Sequence, residues 1–257
     1  MLPRARKRFG QHFLTDRHYL GRIAEAIDPK PGEAMVEIGP GTGLLTEELA
    51  ERVERLHVVE IDRDLAAGLR ARYPADRVVV HEGDALEFDF AALPAPLRVV
   101  GNLPYNVSSP ILFRMAAVAD RLADCVFLLQ KEVVERMVAA PAGAAYGRLS
   151  VMLQYRFLMA KAFDVPPGAF TPPPRVDSAV VRMRPLGRER PLARDEPLFE
   201  AIVAAAFSQR RKTLRNAARG QVPEAAFERA GIDAGRRGET LSVAEFIALA
   251  DAARSAE

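Results

Sequence analysis

Residues 37–43 read Glu37-Ile38-Gly39-Pro40-Gly41-Thr42-Gly43 and form a glycine-rich loop. An apolar run, Ala34–Ile38, precedes this loop, and a stretch with helical periodicity, Leu44–Val53, follows it. Glycines permit a tight turn and a close approach of the backbone to a ligand, and a helix start offers free N–H groups. The sequence therefore predicts a strand–loop–helix unit that holds a nucleoside cofactor, with Gly39 and Gly41 in contact with it.

The loop does not fit the dinucleotide-binding pattern, which needs Gly or Ala three residues after its second glycine. Counted from Gly41 that position holds Leu44, and counted from Gly43 it holds Thr46. We therefore expect a cofactor without a pyrophosphate, such as S-adenosylmethionine.

Apolar runs and helical patterns alternate from residue 34 to residue 130. Such alternation is typical of a parallel sheet that is covered by helices on both faces. A proline-rich loop then leads into the strand-like stretch Ser178–Met183, which suggests late antiparallel strands. We predict an α/β fold with a mostly parallel sheet. The runs interpreted as buried strands are Ala34–Ile38, Leu56–Glu60, Arg77–His81, Leu97–Val100 and Cys125–Gln130.

The composition changes after Pro185. Residues 187–194 are polar and highly charged, as in a linker, and residues 196–254 show only helical spacing. We predict a cofactor-binding domain over residues 1–186 and a small helical domain over residues 187–257.

The composition indicates a soluble protein, because 49% of the 257 residues are hydrophobic and 27% are charged. The single cysteine, Cys125, excludes an intramolecular disulfide, and the scattered histidines predict no metal site. No apolar run approaches the roughly 18 residues of a membrane span, and no apolar stretch follows the basic N-terminus as in a secretory signal. We expect a cytoplasmic protein without a membrane partner.

A second loop, Asn102-Leu103-Pro104-Tyr105, follows the fourth predicted strand, at the sheet edge where open α/β folds bind ligands. The side-chain oxygen of Asn102 and the carbonyl of Leu103 can accept both N–H groups of a planar amine. These bonds favour a pyramidal nitrogen, so they stabilise the transition state of a poor nucleophile. Pro104 stiffens the loop, and Tyr105 can stack on a base. The simpler alternative is an ordinary turn, since Asn and Pro are common turn residues.

Two acidic residues follow neighbouring predicted strands. Glu60 lies about 20 residues after the glycines, where an acid accepts hydrogen bonds from ribose hydroxyls. Asp84 follows the third strand and can accept a hydrogen bond from an adenine amino group. Each acid alone is also explained as a helix N-cap, but the ordered set of glycines, Glu60 and Asp84 favours a cofactor site.

Basic residues cluster in two segments, although the net charge is only +2. Residues 1–8 and residues 208–219 contain several Lys and Arg and no acid, and such clusters can track phosphates. Helical spacing would place Lys212, Arg215 and Arg219 on one stripe. The alternative is a solvated helix face. The residues that we predict to contact RNA are Arg210, Arg211, Lys212 and Arg215.

These motifs resemble those of the bacterial small-subunit ribosomal RNA adenine dimethyltransferases, the kasugamycin-resistance family. The resemblance runs nearly end to end, and the stretch Phe207–Asn216 separates the chain from the related large-subunit enzymes that confer macrolide resistance. The stretches that carry the resemblance are Arg6–Leu14, Val36–Gly41, Gly101–Val107, Leu129–Val134, Tyr146–Val151, Phe170–Val181 and Phe207–Asn216.

The resemblance implies a class I methyltransferase fold, Rossmann-like, with a seven-stranded sheet and a small helical C-terminal domain. It implies transfer of methyl groups from S-adenosylmethionine to the N6 of two adjacent adenosines in the 3′-terminal hairpin loop of 16S rRNA. The substrate would be the small ribosomal subunit or its late precursor, and we expect the protein to be a monomer. By match with the family, the residues that line the cofactor site are His12, Leu14, Gly39, Glu60, Asp84 and Asn102.

Two positions in the resemblance leave alternatives open. His12 stands where many members have Asn, so a side-chain contact there would change while a backbone contact would survive. Phe170 is either an apolar plug before three prolines or a second stacking face, opposite Tyr105, for a flipped adenine. The resemblance favours the stacking face, which places Phe170 with Asn102–Tyr105 among the predicted catalytic residues.

Two other functions are compatible with parts of the pattern. Methylation of a protein glutamine uses a similar Asn-Pro-Pro-Tyr loop, but Leu103 and the basic C-terminal segment favour an RNA substrate. A non-catalytic assembly factor that binds ribosomal RNA is the second alternative, and both activities can coexist in one protein.

Overall fold

The computed structural model describes residues 11–187, 190–209 and 211–254. The basic residues of the segment 1–8, and Arg210, lie outside the described residues. The chain forms two compact units. The first comprises residues up to Val134 together with Leu158–Pro185, and the second comprises Glu135–Phe157 together with residues from Leu186 onward.

The nine described strands form two sheets. In chain order the strands are β1 (Phe13–Leu14), β2 (Ala34–Ile38), β3 (Leu56–Glu60), β4 (Val78–Glu82), β5 (Leu97–Asn102), β6 (Leu122–Gln130), β7 (Phe157–Val165), β8 (Phe170–Thr171) and β9 (Ser178–Pro185). Seven of them form one sheet in the order β4-β3-β2-β5-β6-β9-β7, and β1 pairs with β8.

The large sheet is mostly parallel, as the sequence predicts. Strands β2 to β6 pair in parallel, and β9 joins β6 in antiparallel orientation. The parallel strands are apolar runs because both faces of the sheet are covered: Met35 and Val36 of β2 are fully buried. The predicted seven-stranded, mostly parallel sheet is confirmed. Strand β7 was not predicted: its apolar run, residues 157–160, is broken by Lys161, and most of its residues are exposed.

The helices of the first unit follow the strands. They are α1 (Arg17–Ile27), α2 (Leu44–Ala50), α3 (Arg63–Arg72), α4 (Ser108–Ala117) and the start of α5 (Lys131–Val138). Helix α1 begins where the side chain of Asp16 accepts hydrogen bonds from two N–H groups, and the side chain of Asp62 caps α3 by accepting the N–H of Asp64. The loop after β2 leads straight into α2, as the glycine pattern predicts.

The strand order reverses beside β2. The chain runs outward from β2 to β3 and β4, and then returns to place β5 on the other side of β2. The loops after β2 and β5 therefore leave the sheet in opposite directions at its carboxyl edge. Such a switch point opens a crevice in which α/β folds bind ligands.

Among its described residues, the second unit contains helices and connecting segments, and Phe157, the first residue of β7, is its one strand residue. After the end of α5 come α6 (Arg148–Gln154), α7 (Glu196–Ser208), α8 (Leu214–Ala217), α9 (Glu224–Ala230) and α10 (Val243–Arg254). The predicted boundary at residue 187 lies next to the point where the chain enters this unit for the second time. The unit also includes Glu135–Phe157, because α6 packs against α7.

The basic segment 211–219 is not one helix, so the predicted stripe of Lys212, Arg215 and Arg219 is wrong. Helix α8 has four residues, and Lys212 precedes it while Arg219 follows it. The N–H groups at the start of α8 bind a neighbouring turn, since Leu214 donates to the carbonyl of Arg236 and Arg215 to that of Ala234. Helical spacing therefore does not extend across the segment.

Across the part of the chain that the model describes, no helix is long and apolar enough to cross a membrane.

Candidate active site

The glycine loop and the Asn102–Tyr105 loop meet because the second-last residue of β5 is a glycine, Gly101. A Cβ at Gly101 would lie 2.3 Å from the carbonyl oxygen of Ile38, so another residue there would push β5 away from β2. Gly101 lies directly before Asn102, and Ile38 directly before Gly39. Sequence reasoning did not single out Gly101, although a glycine at the end of an apolar strand is a sign of close backbone approach.

A cavity of about 870 Å³, counting its open mouth, lies where these loops meet. Residues that the sequence did not predict also line it, among them Phe13 and Ile61. The ring of Phe13 lies so close to Gly41 that a Cβ there would be 3.1 Å from it. The predicted site residues that the structure brings together in this cavity are His12, Gly39, Gly41, Glu60, Asp84, Asn102, Leu103, Pro104 and Tyr105.

Two predicted residues lie outside this cavity. Leu14 of β1 pairs with Phe170 of β8, and their side chains are 6% and 3% exposed within one hydrophobic cluster. Leu14 lines a smaller cavity beside the glycine loop. The pairing of β1 with β8 turns the Phe170 ring into the core, so the structure makes Phe170 the apolar plug and not a stacking face in the cavity.

Glu60 fastens the glycine loop to the end of β3. One carboxylate oxygen accepts the N–H of Gly41 at 3.0 Å, and the other accepts the N–H of Asp62 at 2.9 Å. Burial raises the pKa of Glu60, and these backbone hydrogen bonds oppose the rise. A carboxylate accepts about four hydrogen bonds in all, so each oxygen keeps capacity for a ligand hydroxyl.

Asp84 lies at the open side of the cavity. Its carboxylate accepts the N–H of Leu86 at 2.9 Å, which shapes the turn after β4. The side chain is exposed, so one oxygen remains accessible to an amino group.

Asn102 is oriented by a hydrogen bond to the backbone of His12. Its Nδ2 donates a hydrogen bond to the carbonyl oxygen of His12 at 3.0 Å. Because an amide has its oxygen opposite its NH₂, this bond determines which way Oδ1 points and leaves it as the acceptor. The contact uses the backbone of His12, so it does not depend on the side chain at that position.

Tyr105 is held by contacts from outside its loop. Its hydroxyl is 2.7 Å from the hydroxyl of Ser178, and its ring stacks on the imidazole of His12 with centroids 5.6 Å apart. The imidazole is itself held by a 2.8 Å hydrogen bond from Nδ1 to the carbonyl of Pro172. Burial raises the pKa of Tyr105, so the phenol stays neutral near pH 7.

A buried carboxyl group lies beneath the glycine loop. Glu37 of β2 is 1% exposed and accepts a hydrogen bond from the hydroxyl of Thr46 at 2.7 Å. Burial raises the pKa of Glu37 to about 8, and the negative charge of Glu60 adds to this effect. Glu37 is therefore largely protonated near pH 7.

The predicted RNA-binding residues lie in the second unit, with Arg210 outside the described residues. Arg211 and Lys212 are exposed. Arg215 is exposed too, but its guanidinium forms a two-point ion pair with Glu224, with Nε 3.1 Å from Oε2. Within the described ranges, no group of three or more His, Cys, Asp or Glu side chains comes together as a metal site.

The cavity fits S-adenosylmethionine by its hydrogen-bond acceptors and by the exposed backbone of its glycine loop. The glycine loop presents backbone without side chains, since at Gly39 even a Cβ would meet only the carbonyl of Asn102, at 3.7 Å, and Pro104. Glu60 at the end of β3 and Asp84, two residues after β4, supply acceptors, and Ile61 adds an apolar side chain to the lining. This arrangement suits a nucleoside, and the described lining residues include no Lys or Arg that would pair with a pyrophosphate.

Comparison with known proteins agrees with this geometry. The family model described as ribosomal RNA adenine dimethylase matches residues 3–254. A ribosomal RNA small subunit methyltransferase A of Aromatoleum aromaticum is 61% identical over 246 residues, which cover 96% of this chain and 93% of that protein.

Two solved structures share the fold over most of their length. A dimethyladenosine transferase from Plasmodium falciparum superposes with a TM-score of 0.80 at 25% identity, covering 93% of this chain and 96% of that one. The 23S rRNA methyltransferase ErmE superposes with a TM-score of 0.71 at 29% identity, covering 94% and 99%. The chain therefore belongs to the ribosomal RNA adenine dimethylase family.

Proposed function

We propose that the protein transfers methyl groups from S-adenosylmethionine to the N6 of two adjacent adenosines in the 3′-terminal hairpin loop of 16S rRNA. The products are N6,N6-dimethyladenosines. The observation that carries this proposal is the position of Asn102. Its amide lies in the same cavity as the glycine loop and Glu60, and its Nδ2 donates a hydrogen bond to the carbonyl oxygen of His12.

The chain's residues prepare the amine for attack. Oδ1 of Asn102 and the carbonyl of Leu103 accept its two N–H groups, which directs the nitrogen lone pair away from the ring system. Tyr105 stacks on the flipped base, a contact worth about 1–3 kcal/mol for an aromatic side chain. When bound, S-adenosylmethionine supplies an electrophilic methyl group.

The acceptors matter most in the transition state. Hydrogen bonds to the amine strengthen as positive charge develops on nitrogen, so they lower the barrier more than they stabilise the ground state. The nitrogen becomes acidic only when the new bond forms. Solvent can therefore take the proton, and the site needs no strong general base.

S-adenosylmethionine would bind through the glycine loop and the two acidic residues of the cavity. Gly39 and Gly41 allow its close approach, Glu60 accepts from its ribose hydroxyls, and Asp84 accepts from its adenine amino group. Leu14, in the adjoining cavity, supports the loop from behind.

We place the substrate in the small ribosomal subunit or its late precursor and the protein in the cytoplasm, acting as a monomer. Curated relatives at 61% and 56% identity are named small subunit methyltransferases, which favours the small-subunit rRNA over the large. We assign phosphate contact to the second unit through Arg211 and Lys212, which are exposed.

Methyl transfer to purified subunits tests the proposal. Small subunits that lack these methyl groups are incubated with the protein and tritiated S-adenosylmethionine, and the label is mapped along the RNA. We expect label in two adjacent adenosines of the 3′-terminal hairpin and none in large subunits. Binding of subunits without any methyl transfer would instead favour the non-catalytic assembly factor, and label in protein would favour glutamine methylation.

A further inference from the structure

The ring of Tyr105 is held by two side chains that are far from it in sequence. Its hydroxyl is hydrogen-bonded to Ser178 at 2.7 Å, and its ring stacks on His12 with an angle of 25° between the planes. Neither contact belongs to the Asn102–Tyr105 loop itself. The orientation of the ring is therefore set separately from the path of the loop.

Ser178 is a rigid support for the ring. It is the first residue of β9 and is fully buried. It pairs with Gln130 at the end of β6, and next to it the carbonyl of Asp177 accepts the N–H of Lys131 at 2.9 Å. A hydroxyl on a paired, buried strand has little freedom, so it can hold the phenol in one place.

The backbone of the loop is anchored by other groups. Leu103 donates its N–H to the carbonyl of Leu128 at 3.1 Å, and the hydroxyl of Ser108 donates to the carbonyl of Tyr105 at 3.1 Å. Removing the Ser178 hydroxyl leaves both bonds intact. The expected consequence is a looser ring on an unchanged loop.

The two methyl transfers make different demands on the ring. An unmethylated adenine has two N–H groups at N6 for the two acceptors, Asn102 Oδ1 and Leu103 O. In the first transfer, the bond from sulfur to the methyl group breaks, the bond from nitrogen to that methyl group forms, and nitrogen releases one proton to solvent. The monomethylated amine keeps one N–H, so one acceptor has no partner, and stacking must do more to orient the base.

We propose that Ser178 is a positioning residue for the second methyl transfer. Acting through the Tyr105 ring, it replaces part of the orientation that the base loses with its first N–H. The inference rests on the proposed function, since it assumes that one base is methylated twice in this cavity. It assigns to the hydrogen bond between Ser178 and the Tyr105 hydroxyl a part in the second transfer, while stacking by the Tyr105 ring serves both transfers.

The variants Ser178→Ala and Tyr105→Phe test this assignment, because each removes the same hydrogen bond from a different end. With enzyme in excess over unmethylated small subunits, the nucleosides are digested and quantified by mass spectrometry over time. Two consecutive rate constants are then fitted. The second should fall about three- to tenfold, as expected for one net hydrogen bond, and the first by less than about twofold. The double variant should resemble either single variant.

Thr15→Ala is the matched control. The hydroxyl of Thr15 is 3.1 Å from that of Thr171. The variant therefore removes one hydrogen bond between two hydroxyls of the same unit and leaves the contacts of Tyr105 unchanged. Its ratio of mono- to dimethyladenosine should equal that of the wild type. If Ser178→Ala is destabilised, Tyr105→Phe still reports on the bond.

Two results would overturn the inference: an unchanged product ratio in both variants, or an equal fall in both rate constants. A wild-type protein that makes no dimethyladenosine would instead reject the proposed function.

Discussion

The side chain of Asn102 is bound to the backbone of His12, with 3.0 Å between Nδ2 and the carbonyl oxygen, across 90 positions of sequence. This bond uses one N–H of the amide and fixes the direction in which the side-chain oxygen points. The orientation needed for an amine acceptor is therefore present before any substrate arrives, which reduces the reorganisation that catalysis requires.

Asn102→Ala should lower the rate of methyl transfer by about a hundredfold or more, a loss typical of removing a group that acts in the transition state. Subunit affinity and thermal stability should change little. Single-turnover assays with saturating cofactor measure the effect. Asn106→Ala removes an amide from the exposed residue that follows this loop and lines the same cavity, and it should retain the rate within about threefold because Asn106 has no assigned role in the transition state. Near-normal turnover of Asn102→Ala would refute its assignment.

Glu60→Gln should weaken cofactor binding by about tenfold or more, the effect of losing charge-assisted hydrogen bonds. The amide would also turn a donor toward the N–H of Gly41 or Asp62, since both carboxylate oxygens already accept from the backbone. Calorimetry gives the affinity. Glu82→Gln makes the same change at the register partner of Glu60, where the side chain is exposed. Equal affinities in the two variants would show that Glu60 does not contact the cofactor.

Gly101→Ala should destabilise the protein by about 2 kcal/mol or more, because the new Cβ would clash with backbone, which cannot move aside as a flexible side chain can. The added Cβ would lie 2.3 Å from the carbonyl of Ile38. Gly83→Ala is the control, since Gly83 has the same φ of 159° and a Cβ there meets nothing within 4 Å. Urea unfolding of both variants measures the difference, and equal losses would contradict the close approach of β5 to β2.

Glu37 should make stability depend on pH. Burial raises its pKa from 4.5 to about 8, so the folded state binds more protons than the unfolded state between these values. Its contribution is complete below pH 4.5 and is lost as the pH rises toward 8, with a slope of at most about 1.4 kcal/mol per pH unit.

Glu37→Gln keeps an acceptor for Thr46 and does not titrate. Denaturant unfolding at pH 5, 6, 7 and 8 should therefore show the wild type losing stability relative to this variant. A constant difference across that range would mean that Glu37 titrates normally in the folded protein.

Arg211→Ala with Lys212→Ala should weaken binding to small subunits and flatten its salt dependence. Each lost phosphate contact should lower the slope of log affinity against log salt by about 0.7 for single-stranded RNA. Arg215→Ala should do less, because Arg215 is already paired with Glu224. Filter binding between low and moderate salt measures the slopes. An unchanged salt dependence in the double variant would show that Arg211 and Lys212 do not contact phosphates.

The sequence alone was sufficient for the type of fold and the family. Alternation of apolar runs with helical patterns is visible in the local sequence, and glycines such as Gly39 and Gly41 mark positions where the backbone turns tightly. Both the parallel sheet and the cofactor loop were therefore predicted, and the sheet is confirmed. The family and the class of reaction are confirmed by the match over residues 3–254. The roles of individual site residues stay predictions that the experiments above test.

Tertiary structure decided which side chains meet. The ring of Phe170 lies in the core because β8 pairs with β1. The predicted basic stripe does not form because α8 ends at Ala217 and Arg215 forms an ion pair with Glu224. The bond between Tyr105 and Ser178 joins positions 73 residues apart. Such contacts depend on strand order and register, which bring distant segments together, and no local pattern of residues encodes them.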